Sequence, residues 1–267
     1  MPPAPTEAPA PAPRPGDSYV QSFARGLAVI RSFSAEAPAL TLTEVAQRAG
    51  LTRAGARRIL LTLAHLGYVE SQGRQFRLTA KILDLGFAYL SSLPVWNLAE
   101  PVMETLVAEV KESSSVAVLD GDEIVYVLRV PTHKIMSINL GIGSRLPAYC
   151  TSMGRVLLAG LPADEGRRRI VGAVRRAHTA RTVTEAAELM RLVDEARTQR
   201  WSLVDQELEE GLVSLAAPIT DRAGRTIAAL NISGQANRTP APLMQQRFLP
   251  LLREAAEKIS QLVRMKS

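Results

Sequence analysis

Cysteine is almost missing from this sequence. Cys150 stands alone, which excludes an intrachain disulfide framework and suits a reducing, cytoplasmic setting. Histidine is scarce as well. His65, His133 and His178 show no metal-ligand spacing, and none belongs to a recognisable catalytic motif. No apolar run reaches the length of a membrane span, and the opening MPPAPTEAPAPAPRPG has no apolar signal-peptide core. Cofactor fingerprints are missing too, because the G-I-G at Gly141–Gly143 is too short for a dinucleotide pattern. No metal, cofactor or membrane is therefore expected.

What the chain does have is bulk and positive charge. Its 267 residues are 46% apolar, enough for a core and for more than one domain. The formal net charge of +6 makes a polyanionic partner worth considering. Residues 1–17 are rich in Pro and Ala and read as a disordered tail, unable to bury enough surface to order itself.

A DNA-binding unit is expected over residues 18–79. Phe23, Leu27 and Ile30 recur at helical spacing between Ser22 and Phe33. A short helix follows over Thr43–Ala49, capped by Thr41 or Thr43 and ended by Gly50. A third begins at Thr52, with an apolar stripe of Ala56, Ile59, Leu63 and Leu66. Arg53, Arg57 and Arg58 fall on its other side, and Leu61 lies among them without an evident role. Two short strands then meet at Gln72-Gly73-Arg74, with Arg77 on the second. Helix, turn, helix and hairpin make a winged helix-turn-helix, whose second helix reads the major groove. Dense phosphate charge explains why cations crowd that face: Thr52, Arg53, Arg57, Arg58, Arg74 and Arg77 are the candidate contacts to double-stranded DNA. A solvated basic helix is the plainer alternative.

Residues 80–110 read as linker helices. Leu83, Phe87 and Leu90, then Leu98, Val102, Leu106 and Val110, supply more apolar surface than a linker needs. Subunit pairing is preferred to packing on the second domain. From 111 to 267 the period alternates between two and 3.6. Hairpins are expected at Asp120-Gly121-Asp122 and at Asp221–Gly224, with KIMSINL as a further strand and helices between. The fold class is α+β: the winged helix-turn-helix, a helical linker, and an antiparallel sheet with helices.

CTSMG, at Cys150–Gly154, nearly matches the G-x-S-x-G nucleophile elbow, but a hydrolase using Ser152 has no histidine motif to serve as base. The same stretch also reads as a helix start whose amides at Ser152, Met153 and Gly154 could hold an anion. In LVSLAAPI and ALNISG, Ser214, Asn231 and Ser233 occupy small-polar faces. Periodicity alone assigns these to solvent ahead of a pocket lining.

FARGLAVIRSF, TLTEVAQRAGLTRAGARRILLTLAHLGYV, LPAYCTSMGRVLLA and EEGLVSLAAPI together resemble the IclR family of bacterial transcription regulators, over nearly the whole chain from about Ser18. LTRAGARRILLTL, ESSSVAVLDGDEIVYVLRV and RLPAYCTSMGRVLLA are most similar to regulators of protocatechuate, 4-hydroxybenzoate and β-ketoadipate catabolism. The resemblance implies a homodimer or dimer of dimers, operator DNA as partner, and a GAF-like domain binding a small aromatic or dicarboxylic acid. It implies a pocket of Ser152, Met153, Gly154, Asp205, Ser214, Asn231 and Ser233, which reverses the solvent reading of those polar faces. Cys150, where many relatives carry a small residue or histidine, then reads as pocket wall. Arg155 keeps the charge of the lysine found there in many relatives. A ligand-independent architectural DNA-binding protein would leave such a pocket unexplained.

Overall fold

A computed structural model describes residues 19–93, 95–132 and 140–266. The Pro/Ala-rich tail, the Pro94 interruption, His133 and the KIMSINL run up to Asn139 lie outside them. The chain divides into two compact units, residues 1–88 and 89–267.

In the N-terminal unit, α1 (Gln21–Arg31), α2 (Leu42–Arg48) and α3 (Arg53–His65) pack with a three-stranded antiparallel sheet. Its strands are β1 (Ala39–Thr41), β2 (Val69–Gln72) and β3 (Gln75–Leu78), in the order β1-β3-β2. Thr41 is the cap of α2, so the capping ambiguity closes in its favour. Its amide donates to the Glu44 carboxylate at 2.7 Å, and the Glu44 amide donates back to its hydroxyl at 3.4 Å. Thr52 caps α3 by accepting from the Gly55 amide at 3.2 Å. Gly73 turns the hairpin at φ +63°, a left-handed conformation that glycine adopts without strain.

Two expected stripes are displaced. On α1 the buried residue is Val29, whereas Phe23 and Leu27 are exposed. On α3 the core positions are Ala56, Leu60 and Leu63; Ile59 is half-buried and Leu66 exposed. Apolar residues on several faces of one helix let the wheel be drawn more than one way, and tertiary packing selects among them. β1 has no counterpart in the sequence reading, because three residues carry too little pattern to detect.

A 3-10 turn (Ala80–Ile82) leads into α4 (Leu83–Ser92), which has no buried residue. Next comes α5 (Trp96–Val110), with Ala99, Val102, Met103, Leu106 and Val110 buried. The surplus apolar surface of α5 is therefore spent inside the C-terminal unit, where it packs on β4 (Ser113–Asp120), β5 (Glu123–Val130) and the last helix. Packing on the second domain holds for α5.

The C-terminal sheet is fully antiparallel, ordered β6-β5-β4-β9-β8-β7. Its remaining strands are β6 (Arg145–Pro147), β7 (Ser202–Asp205), β8 (Leu212–Thr220) and β9 (Thr226–Gln235). Gly121 turns the β4–β5 hairpin at φ +62°. One face carries Val116, Val213, Leu215, Leu230 and Ile232 against α5 and α10 (Leu249–Lys266), the latter reached through a short α9 (Ala241–Leu243) and a π-turn. The other face presents Ala117, Ala216 and Ala229 to α6 (Ser152–Ala159), backed by α7 (Ala163–Gly172) and α8 (Ala186–Gln199).

Because Leu106 is buried in this core, Leu106→Ala is expected to destabilise the C-terminal unit by about 2–5 kcal/mol. Denaturant titration of the full-length protein reads this directly. Wild-type stability would show that α5 is not held by that core.

Candidate functional site

A cleft opens where α6 begins, above the polar end of the small-residue sheet face. Its lining includes Tyr126, Arg129, Cys150, Thr151, Ser152, Met153, Ser214, Asn231 and Ser233. The empty space is about 480 Å³ with its open mouth included.

The polar groups form one connected net. Ser152 and Ser214 share a hydroxyl hydrogen bond of 2.7 Å. The Asn231 amide group donates to the hydroxyls of Ser233 at 2.8 Å and Ser214 at 3.2 Å, and Ser233 donates to Ser214 at 3.2 Å. Asn231 is fixed from behind, since its oxygen accepts from the Ser115 amide at 2.9 Å. Buried polar groups satisfied in this way set one geometry. The solvent reading that periodicity alone gives does not hold: Asn231 and Ser233 are buried and Ser214 is half-buried.

Two lining residues were not singled out by the sequence. Arg129 donates to the Ser115 hydroxyl at 3.2 Å and forms no ion pair among the described residues. Tyr126 is buried, and its hydroxyl makes no hydrogen bond among the described residues. Burial pushes that hydroxyl up to about 12, so it stays protonated and can donate. The sheet register could have pointed to Arg129, because on β5 it stands directly opposite Ser115 of β4, which in turn pairs with Asn231 of β9.

The remaining sequence candidates separate. Thr151 caps α6 by accepting from the Gly154 amide at 3.2 Å, so that donor is already engaged. Gly154 is absent from the lining. A β-carbon there would lie 2.1 Å from the Ala148 carbonyl oxygen, which accounts for the glycine by close packing. The amides of Ser152 and Met153 have no partner among the described residues and remain available at the positive end of the helix. Asp205 also lies outside the lining, paired with Arg181 at 2.5 Å.

Arg155 plays a different part from Arg129. It is buried and donates to Glu207 at 2.6 Å and to the Tyr149 carbonyl at 3.1 Å. Its charge is thus used beneath the cleft. Cys150 is in the lining, and burial, with a smaller contribution from the Glu207 charge, pushes its thiol up to about 12. A protonated thiol is a poor nucleophile, which suits a wall residue. Among the described residues no histidine bonds Ser152, and no His, Cys, Asp and Glu cluster is suited to a metal.

In the N-terminal unit, Arg53, Arg57, Arg58, Arg74 and Arg77 are all exposed. None forms an ion pair among the described residues. Thr52 is exposed at the head of the same helix.

Known proteins match along both units. Residues 22–73 match the IclR helix-turn-helix domain, and residues 87–261 match the family described as bacterial transcriptional regulator IclR C-terminal. A Pca regulon regulatory protein of Pseudomonas putida is 42% identical over 90% of this chain and 83% of its own. A p-hydroxybenzoate hydroxylase transcriptional activator of Acinetobacter baylyi is 34% identical over 92% of this chain and 93% of its own. The crystal structure of an IclR homologue from Microbacterium hydrocarbonoxydans, complexed with 4-hydroxybenzoate, superposes with a TM-score of 0.81 at 26% identity, covering 92% of this chain and 100% of its own. An exposed, unpaired arginine face on a winged helix, the cleft behind it in sequence and two matching family domains converge, and the chain belongs to the IclR family of bacterial transcriptional regulators.

Proposed function

We propose that this protein regulates genes of aromatic-acid catabolism by binding operator DNA through its winged helix and an aromatic acid in the cleft. The carrying observation is Arg129, a cation lining a cleft with an apolar wall and a polar floor, with no carboxylate partner among the described residues. Arg129 is half-buried, and a guanidinium partly withdrawn from water without a counterion favours an anion. The acid's carboxylate would lie between the Arg129 guanidinium and the amides of Ser152 and Met153. Tyr126 or the Ser214–Asn231–Ser233 net would meet its second polar group, and the apolar wall with Leu146 and Leu208 its ring. The names of the two relatives and the 4-hydroxybenzoate bound to the Microbacterium neighbour support an aromatic hydroxy acid.

A homodimer, or a dimer of dimers, fits the exposed apolar side chains of the N-terminal unit. Phe23 on α1 and Leu83 and Leu85 on α4 stay in solvent in one copy, as expected of surfaces that meet a partner. Paired winged helices would then read two half-sites.

Three outcomes test this reading. Calorimetry with 4-hydroxybenzoate, protocatechuate and β-ketoadipate should find one that binds. Arg129→Gln should weaken it about tenfold or more, the value of one charge-assisted hydrogen bond. Met153→Pro, tolerated in a first helical turn but lacking the amide, should also weaken it. Binding of no acid by the wild type, or unchanged affinity in both variants, would remove the cleft from consideration. In sedimentation, Phe23→Glu and Leu85→Glu should dissociate the oligomer while leaving the fold intact; wild-type assembly in both places the interface elsewhere. Finally, Ala at Arg53, Arg57 or Arg58 should lower operator affinity. Where the lost contact is a phosphate, the slope of log affinity against log salt should fall by roughly 0.9. A triple variant binding as wild type would exclude α3 from the DNA interface.

A further inference from the structure

Leu61 is the residue that neither the core nor the basic face accounts for. Ala54, Arg58, Leu61 and His65 are spaced i, i+4, i+7 and i+11, so they form one stripe along α3. All four are exposed. That stripe lies opposite the buried Ala56, Leu60 and Leu63, so it is the centre of the outward face. Arg57, four residues before Leu61, flanks it on one side. Thr62, whose hydroxyl donates to the Arg58 carbonyl at 2.9 Å, flanks it on the other. Leu61 is 47% exposed, in the middle of the surface that faces DNA if α3 is the reading helix.

The chemistry of the groove narrows what such a side chain can meet. Phosphates, and the donors and acceptors on base edges, all lose solvation against a leucine that returns no hydrogen bond. The single apolar group on the major-groove edges of the four bases is the 5-methyl of thymine. A leucine on the central stripe therefore favours thymine and disfavours cytosine, whose amino group would be left dry. A contact with another protein copy fits less well, because it would bring Arg57 and Arg58 against a like-charged helix.

We infer that Leu61 is a specificity-determining residue that reads a thymine methyl in each operator half-site. This rests on the proposed DNA-binding role of α3. Burying one methyl group corresponds to about a fourfold change in affinity.

Duplexes enriched from a random pool by the full-length wild-type protein supply the probe. Each thymine is then replaced in turn by deoxyuridine, which removes only the methyl. The wild type should lose about three- to tenfold at one thymine per half-site. Leu61→Ala should bind the thymine duplex more weakly by a similar factor and show no response to that replacement. Leu61→Met should restore the response in part. If the wild type enriches a sequence yet is indifferent to deoxyuridine everywhere, or if Leu61→Ala responds as strongly as the wild type, the inference is wrong while the operator reading stands. Failure to enrich any sequence would overturn both.

Discussion

The architecture of the C-terminal unit follows from one constraint: an antiparallel sheet that is covered on both faces. Such sheets commonly leave one face to water, with apolar and polar residues alternating. Here α5 and α10 cover one face through large aliphatic side chains, and α6 covers the other across Ala117, Ala216 and Ala229. Alanine on three adjacent strands lets α6 come close. Gly154 extends that closeness to the Ala148 backbone, where no side chain would fit. At the start of α6 the small residues change from Ala to Ser and Asn, and the close packing gives way to a cleft with a polar floor. Core and site are the same surface with different side chains.

Two arginines divide the electrostatic work. Arg155 and Glu207 form a buried pair that also accepts the Val183 amide at 3.0 Å, tying α6 to the segment after β7. A buried pair of this kind contributes little net stability once desolvation is subtracted, but breaking it leaves an uncompensated charge. Its effect is to fix where α6 starts. Arg129, by contrast, bonds only the Ser115 hydroxyl among the described residues. One guanidinium is paired beneath the cleft and the other has no carboxylate partner among the described residues, a division that sequence position does not disclose.

The legible parts of the chain were those governed by local physics. Gly73 and Gly121 needed positive φ and marked their hairpins; Thr52 capped the helix it preceded. What failed depended on tertiary choice. Leu60 outcompeted Ile59 and Leu66 for the core of α3 because packing partners, not periodicity, decide between neighbouring stripes. Ser214 and Asn231 looked solvent-facing because a small-polar alternation is the same pattern whether water or a helix lies above it. Arg129 sat within an apolar strand, and only its pairing opposite Ser115, which depends on the sheet register, marks it as part of the site. At the helix start expected to hold an anion, the Gly154 amide is engaged by Thr151, while the amides of Ser152 and Met153 have no partner among the described residues.

An effector alters DNA affinity only through a difference in its own affinity for two arrangements of the protein. The hydrogen-bonded net of the cleft gives one source of such a difference. Ser152, Ser214, Asn231 and Ser233 already bond one another, so an acid of the proposed kind that takes one of these hydroxyls as partner rearranges the net. The Ser152–Ser214 bond joins α6 to β8 within the lining, so opening it would change how the helix start meets the sheet. A single charge-assisted bond to Arg129, made in one arrangement and not the other, is worth about 1.5–3 kcal/mol, which is roughly a 10- to 150-fold shift. That is within the range typical of allosteric coupling, so no large rearrangement of the sheet is required for an acid to act as a signal.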